Sequence, residues 1–265
     1  MNKNIFCLFI IASALIISCS NNSKEAKADA AMPAQEKELR ELIAKYPDSA
    51  LLKENLVQYF RDNSNYSQAI EETDKILQKD SLSEKAWYMK AMLHSENDDT
   101  TQAINAWEKL VHINPNPEYI MSLGSMYATA KNPLALGMAS LLMSNPQTRY
   151  QALFIQGFYY NNAGDKERAI PFFDQCIAID YTNMLAYREK AIAEYDAGKY
   201  LDALKTLELA VTVKQTYDEA YYWMGRCYEK LQQKEQAVKS YQLALQFNAG
   251  NIEAKDALAK MGVVQ

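Results

Sequence analysis

The sequence predicts an all-α solenoid, a single array of stacked antiparallel helix pairs, on three observations. Alanine recurs at Ala69, Ala103, Ala135, Ala169, Ala203 and Ala237, with gaps of 34, 32, 34, 34 and 34 residues. A second series of small residues, Val57, Ala91, Gly124, Gly157, Ala191 and Gly225, keeps step at gaps of 34, 33, 33, 34 and 34. Turn-forming clusters fall inside the periods: Asp62-Asn63-Ser64-Asn65, Asn97-Asp98-Asp99, Lys131-Asn132-Pro133, Ala163-Gly164-Asp165 and Ala197-Gly198-Lys199. A fixed period of this length marks a repeat architecture, because one helix pair cannot bury its own apolar face and its neighbours must cover it.

The first element is a targeting segment, residues 1–18. Asn2-Lys3-Asn4 is a short positive leader and Ile5 to Ile17 an apolar run of 13 residues. A bilayer-spanning helix needs roughly 20, so the run is too short for an anchor of its own. Ile16-Ile17-Ser18-Cys19 then resembles the lipobox of bacterial lipoproteins. That resemblance implies cleavage before Cys19 and a diacylglycerol on its thiol, where each buried CH₂ adds about 0.8 kcal/mol of membrane affinity. The alternative is an ordinary secretory signal with an incidental cysteine. Residues 19–33 read as a flexible tether, because Ser20 to Pro33 contains no large apolar side chain except Met32.

The solenoid is expected over 34–265. A capping helix near 34–46 carries the stripe Leu39, Leu42, Ile43 and Tyr46. Six repeats follow near 50–83, 84–116, 117–149, 150–183, 184–217 and 218–251, separated by breaks at Pro47, Asp80-Ser81, Asn114-Pro115, Asn145-Pro146 and Asp180-Tyr181. Apolar spacing such as Ala169-Ile170, Phe173, Cys176-Ile177 gives each helix one buried stripe. Ala254, Ala257, Leu258 and Met261 mark a C-terminal capping helix.

Within the repeats, large and small residues alternate in a set order. Residues 84–116 contain Trp87, Ala91, Ala103, Trp107, Leu110 and Pro115; residues 150–183 contain Leu153, Gly157, Tyr160, Gly164, Ala169, Phe173 and Cys176. Residues 218–251 contain Tyr221, Gly225, Tyr228, Ala237, Tyr241 and Ala244. The third repeat carries Leu123-Gly124, Tyr127, Ala135 and Pro146, and the fifth Tyr187, Ala191, Tyr200, Ala203 and Ala210. This order resembles the tetratricopeptide repeat (TPR). The small positions let two helices approach closely and the large ones fill the space between repeats. The first repeat is poorer, with Lys53 and Thr73 where aromatics are usual.

The resemblance implies a right-handed superhelix of antiparallel helix pairs whose first helices line a concave, peptide-binding groove. Carried over position by position, the groove-facing residues are Tyr88, Met92, Met121, Ser125, Phe154, Phe158, Asn161, Arg188, Ile192, Tyr195, Tyr222 and Arg226. Two readings stand. The groove takes an apolar or amphipathic partner segment, with Arg188 and Arg226 meeting an acidic group or chain end; or these side chains pack against one another. Glu54, Gln58 and Met89 stand where the chaperone-tail clamp needs Lys and Asn, so that ligand is not expected. Residues 133–143 contain no charge, and either repeat packing or a partner on the convex surface, including a second copy of the chain, covers them.

The formal net charge of -5 is spread along the chain, so a basic footprint for nucleic acid is missing. Cys176 and Cys227 fall in different repeats and read as small buried side chains rather than a disulfide. His94 takes a packing position; Glu71, Glu72 and Glu108 read as solvated. No Cys/His spacing suggests a metal and no Gly-rich loop cradles a cofactor phosphate. The resemblances together imply a non-catalytic adaptor or scaffold of the bacterial envelope that binds a protein partner. The alternatives are a self-associating structural protein and a regulatory subunit of an envelope enzyme. Ser20 after Cys19 fits outer-membrane sorting, on the periplasmic side.

Overall fold

The computed structural model describes residues 32–263. The signal segment, Cys19 and the tether as far as residue 31 lie outside the described residues. Among those described there are fourteen α-helices and no strand. Six helix pairs follow α1 (Ala34–Lys45): α2 (Ala50–Asp62) with α3 (Tyr66–Lys79), α4 (Glu84–Glu96) with α5 (Thr100–Ile113), α6 (Pro117–Thr129) with α7 (Leu134–Met143), α8 (Arg149–Asn162) with α9 (Lys166–Ile179), α10 (Met184–Asp196) with α11 (Tyr200–Val213), and α12 (Asp218–Lys230) with α13 (Lys234–Phe247). Helix α14 (Ile252–Lys260) closes the array. This is the fold class the repeats predict.

Local chemistry sets the ends of these helices. Asp99, Asp165, Asn183 and Asn251 accept hydrogen bonds from the backbone N–H three residues on, at 3.2, 3.0, 3.1 and 2.9 Å. Each satisfies a donor that the first turn leaves without a partner. The turn inside each pair contains one residue in the left-handed region: Ser64, Asp98, Lys131, Gly164, Gly198 and Gln232, with φ between 55° and 92°. Each lies seven residues after a member of the Val57–Gly225 series, so the small-residue period is also the period of the turn.

Packing explains the small positions. A Cβ on Gly157 would sit 2.8 Å from Phe173, and one on Gly225 would sit 2.5 Å from Tyr241. Both rings are fully buried and come from the second helix of the same pair. Repeat three departs from this. Its second helix offers only Ala139 at the equivalent register, four residues after Ala135, and the space over Gly124 is filled by Ile155 of α8 together with Met138 of α7. From there on, first helices pack on first helices: α6 on α8, α8 on α10, α10 on α12. Each second helix packs on its own partner and on the next first helix. The first helices therefore form the inner layer and the second helices splay outward.

Several individual expectations meet their outcome here. Thr73, in place of an aromatic, is fully buried and its hydroxyl donates to the Ala69 carbonyl at 2.8 Å. Glu72 is not a solvated residue: Arg40 of α1 and Lys75 both donate to it at 3.1 Å, which ties the N-terminal helix to the first pair. Cys176 and Cys227 are buried free thiols. His94 is buried and its pKa is pulled down by that burial, so it packs as a neutral ring. On α7, Ala135, Ala139 and Leu142 point inward, while Leu134 and Leu141 stay more than half exposed.

Candidate protein-binding groove

The inner layer places the expected groove residues in three groups. Tyr88 is 41% exposed, and its ring meets Trp107 edge-on at 5.8 Å and leans on Tyr119 at 6.0 Å. Met92, Met121 and Phe158 are half-buried against the core of repeats two to four. Ile192, Arg188, Tyr222 and Arg226 are half-buried along α10 and α12. These residues offer partly exposed apolar and aromatic surface at successive inner positions.

Two others are core residues rather than groove wall. Phe154 is 5% exposed, stacked on Phe158 at 5.7 Å and edge-on to Phe173 at 5.9 Å. Tyr195 is 8% exposed, between Tyr200 at 5.3 Å and Trp223 at 5.5 Å. The physical reason is the close approach of first helices in this half of the array, which covers positions that a more open superhelix leaves bare. Asn161 is likewise buried and accepts from Lys166 at 2.6 Å.

The two arginines differ. Arg226 lies over the rings of Tyr195, Trp223 and Tyr222, at 5.2, 5.3 and 5.9 Å, and donates to the hydroxyls of Tyr222 (3.0 Å) and Tyr195 (3.2 Å). Its role is cation–π cross-linking of two repeats. Arg188 is not free to meet an outside acid. It donates to Glu189 at 3.1 Å through Nε and to Glu219 at 2.9 Å through Nη1. Tyr217 donates to the same Glu219 oxygen at 2.9 Å. Burial pushes the Glu189 carboxyl above the usual carboxylate range, against the pull of Arg188.

A cavity of about 550 Å³ opens at this end, and Arg188, Ile192 and Tyr222 line it together with Glu189, Glu219 and Trp223. The last three were not among the expected groove residues. At the other end of the array a second cavity of about 470 Å³ has an apolar floor of Ile43, Leu56 and Ile76 and a rim that includes Lys53 and Lys79. Desolvation, and then the charge of Lys79, lower the pKa of Lys53. Among the described residues no group of three or more His, Cys, Asp or Glu is placed to hold a metal, and no helix is long and apolar enough to cross a membrane.

Comparison with known proteins places this geometry. One tetratricopeptide-repeat family model matches residues 194–261, and another matches 84–117 and 150–183. Among solved structures, the chain is similar to a tetratricopeptide repeat protein from Parabacteroides merdae, with a TM-score of 0.69 at 19% identity, over 84% of this chain and 90% of that one. It is also similar to PilW, described as a widely conserved type IV pilus biogenesis factor, with a TM-score of 0.59 at 18% identity, over 78% and 97% of the two chains. At such identities these likenesses concern the fold. Among curated proteins, anaphase-promoting complex subunit 3 of Schizosaccharomyces pombe is 24% identical over 71% of this chain and 29% of its own length. The DnaJ homolog subfamily C member 7 homolog of Dictyostelium discoideum is 24% identical over 72% and 39%. The chain thus spans about a third of the length of these relatives.

Proposed function

The chain belongs to the tetratricopeptide-repeat family, and on that premise we propose that it is a non-catalytic adaptor of the bacterial envelope that receives a segment of a partner protein in its concave face. Tetratricopeptide-repeat proteins mediate protein–protein interaction. One observation carries the reading to this surface. Half-buried Met92, Met121, Phe158, Ile192 and Tyr222 recur along the inner layer, and the last two line the 550 Å³ cavity. Aromatic side chains at partly buried positions are the usual anchors of protein interfaces, and Met adapts to varied partners. The proposed attachment is a lipid on Cys19 at the outer membrane, facing the periplasm.

The test is co-purification from solubilised membranes. Phe158→Ala with Ile192→Ala is expected to keep the helical circular-dichroism spectrum and lose the partner. Tyr195→Ala is unsuitable for this purpose, because that ring is in the core. Unchanged recovery of the partner would remove the concave face from consideration. Labelling with a palmitate analogue is expected for the wild type and not for Cys19→Ala; equal labelling would refute the anchor.

A second reading rests on α7. Exposed Leu134 and Leu141 on a helix without charge favour self-association through the outer surface. Light scattering at micromolar concentration separates the two: a dimer that Leu141→Lys dissociates supports self-association, and a monomer rejects it.

A further inference from the structure

The cavity at the C-terminal end of the inner layer has a charge balance that the repeat pattern does not announce. Its wall carries four carboxylates, Glu189, Asp218, Glu219 and Glu253, against one guanidinium, Arg188. That guanidinium is shared between Glu189 and Glu219. Asp218 is held by neutral donors only, Asn248 at 2.9 Å and Asn251 at 3.3 Å. Among the described residues neither Asp218 nor Glu253 forms an ion pair, whereas Lys190, at a neighbouring position of α10, is engaged by Asp174 and Glu194 outside the cavity. Negative charge is therefore in surplus.

The shape and the remaining wall say what would use that surplus. Glu189 is 6% exposed, so one of the four charges sits at low effective dielectric, where a cation entering the cavity interacts with it strongly. Tyr222 and Trp223 stand edge to face at 5.6 Å and give the cavity an aromatic wall. Arg226, which does not line the cavity, already lies over both rings at 5.9 and 5.3 Å, and its charge offsets part of the negative surplus without cancelling it. Ile192 adds an apolar side that suits the methylene stem of a long side chain. Carboxylates beside aromatic faces recognise ammonium and guanidinium groups through charge-assisted hydrogen bonds and cation–π contact. An acidic group in the same place would meet uncompensated like charge.

We infer that this cavity takes the cationic end of a lysine or arginine side chain from the partner segment that lies in the groove. The inference rests on the groove reading and assigns the chemistry of one residue of that segment. It reverses the expectation that Arg188 receives an acid, because Arg188 instead braces two of the carboxylates that form the site.

The experiment uses three fluorescein-labelled, end-blocked peptide pools, randomised over apolar residues and differing in one fixed central residue: Arg, Gln or Glu. Fluorescence polarisation against the folded chain is expected to give an Arg pool that binds roughly tenfold tighter than the Gln pool, with the Glu pool weakest. Raising the salt should erode the Arg advantage. Glu253→Gln, an exposed position, and separately Asp218→Asn, with circular dichroism as the folding control, should bring the Arg pool towards the Gln pool and leave the Gln pool unchanged. Equal binding of the Arg and Gln pools to the wild type overturns the cation site alone and leaves the groove. Failure of all three pools to bind overturns the groove and the cation site together.

Discussion

Adding one methyl group at Gly225 is expected to destabilise the last repeat, while the same change at Gly137 is expected to stabilise its helix. A Cβ at Gly225 would lie 2.5, 2.7 and 2.8 Å from three ring carbons of Tyr241. Carbon atoms pack at about 3.5–4.0 Å, so the ring would have to retreat by about 1 Å. It has nowhere to go, being fully buried with its hydroxyl donating to Glu229. Overpacking of this kind costs about 1–3 kcal/mol, and the better helix propensity of alanine offsets about 1 kcal/mol of it. The net expectation is a loss of up to about 2 kcal/mol, towards the upper end because the ring is so tightly held. A Cβ on Gly137 would meet no atom within 4 Å, and the position is exposed, so only the propensity gain of about 1 kcal/mol remains there. Urea titration by circular dichroism measures both, with hydrogen exchange of the α12 and α13 amides locating the effect. The same sign at both positions would refute the reasoning. So would a Gly225→Ala penalty that persists in a Tyr241→Leu background, where the ring is gone.

Three further outcomes follow from the structure. Gln232 holds the left-handed turn position that Gly164 and Gly198 hold elsewhere, at φ 60°; Gln232→Gly is expected to raise stability by about 1 kcal/mol in the same titration, and a loss would contradict the turn assignment. Burial pushes the thiols of Cys176 and Cys227 up to about 12; peptide mapping after iodoacetamide should find both unmodified in the native protein and alkylated in urea, and native alkylation would place them outside the core. Burial also raises the Glu194 carboxyl above its usual 4.5, opposed by the Thr206 hydroxyl and Lys190. A raised carboxyl contributes stability that is present below 4.5 and lost as pH climbs through the folded-state value. Glu194→Gln should therefore gain on the wild type as pH rises through that window and hold a constant advantage above it, and a pH-independent difference would refute the assignment.

The residues differ in how legible they were, and the reasons are physical. The Val57–Gly225 series reads directly because helix approach demands a small side chain at one place per repeat, and the left-handed turn residue follows seven positions later by the same geometry. Gln232 carries no turn signal of its own; only the period finds it. Burial of Phe154 and Tyr195 was not legible, because it depends on how closely consecutive first helices approach, which is set between repeats. For Tyr195 the covering groups, Trp223 and Arg226, belong to the next repeat. The Arg188–Glu219 pair could have been found: Glu219 is the second residue of the repeat 218–251 and Arg188 the fifth of the repeat 184–217, both on first helices that stack as neighbours. Glu253 could not, since it enters the cavity from the capping helix, where the repeat rule has no position for it.

The most direct measurement of the central claim is site-specific photo-crosslinking in intact membranes, with the photoreactive residue placed at Ile192 in the inner layer or at Leu209 on the exposed side of α11. The account predicts a discrete partner adduct from position 192 and none from position 209. Adducts from 209 alone, or equally from both, would contradict binding in the concave face.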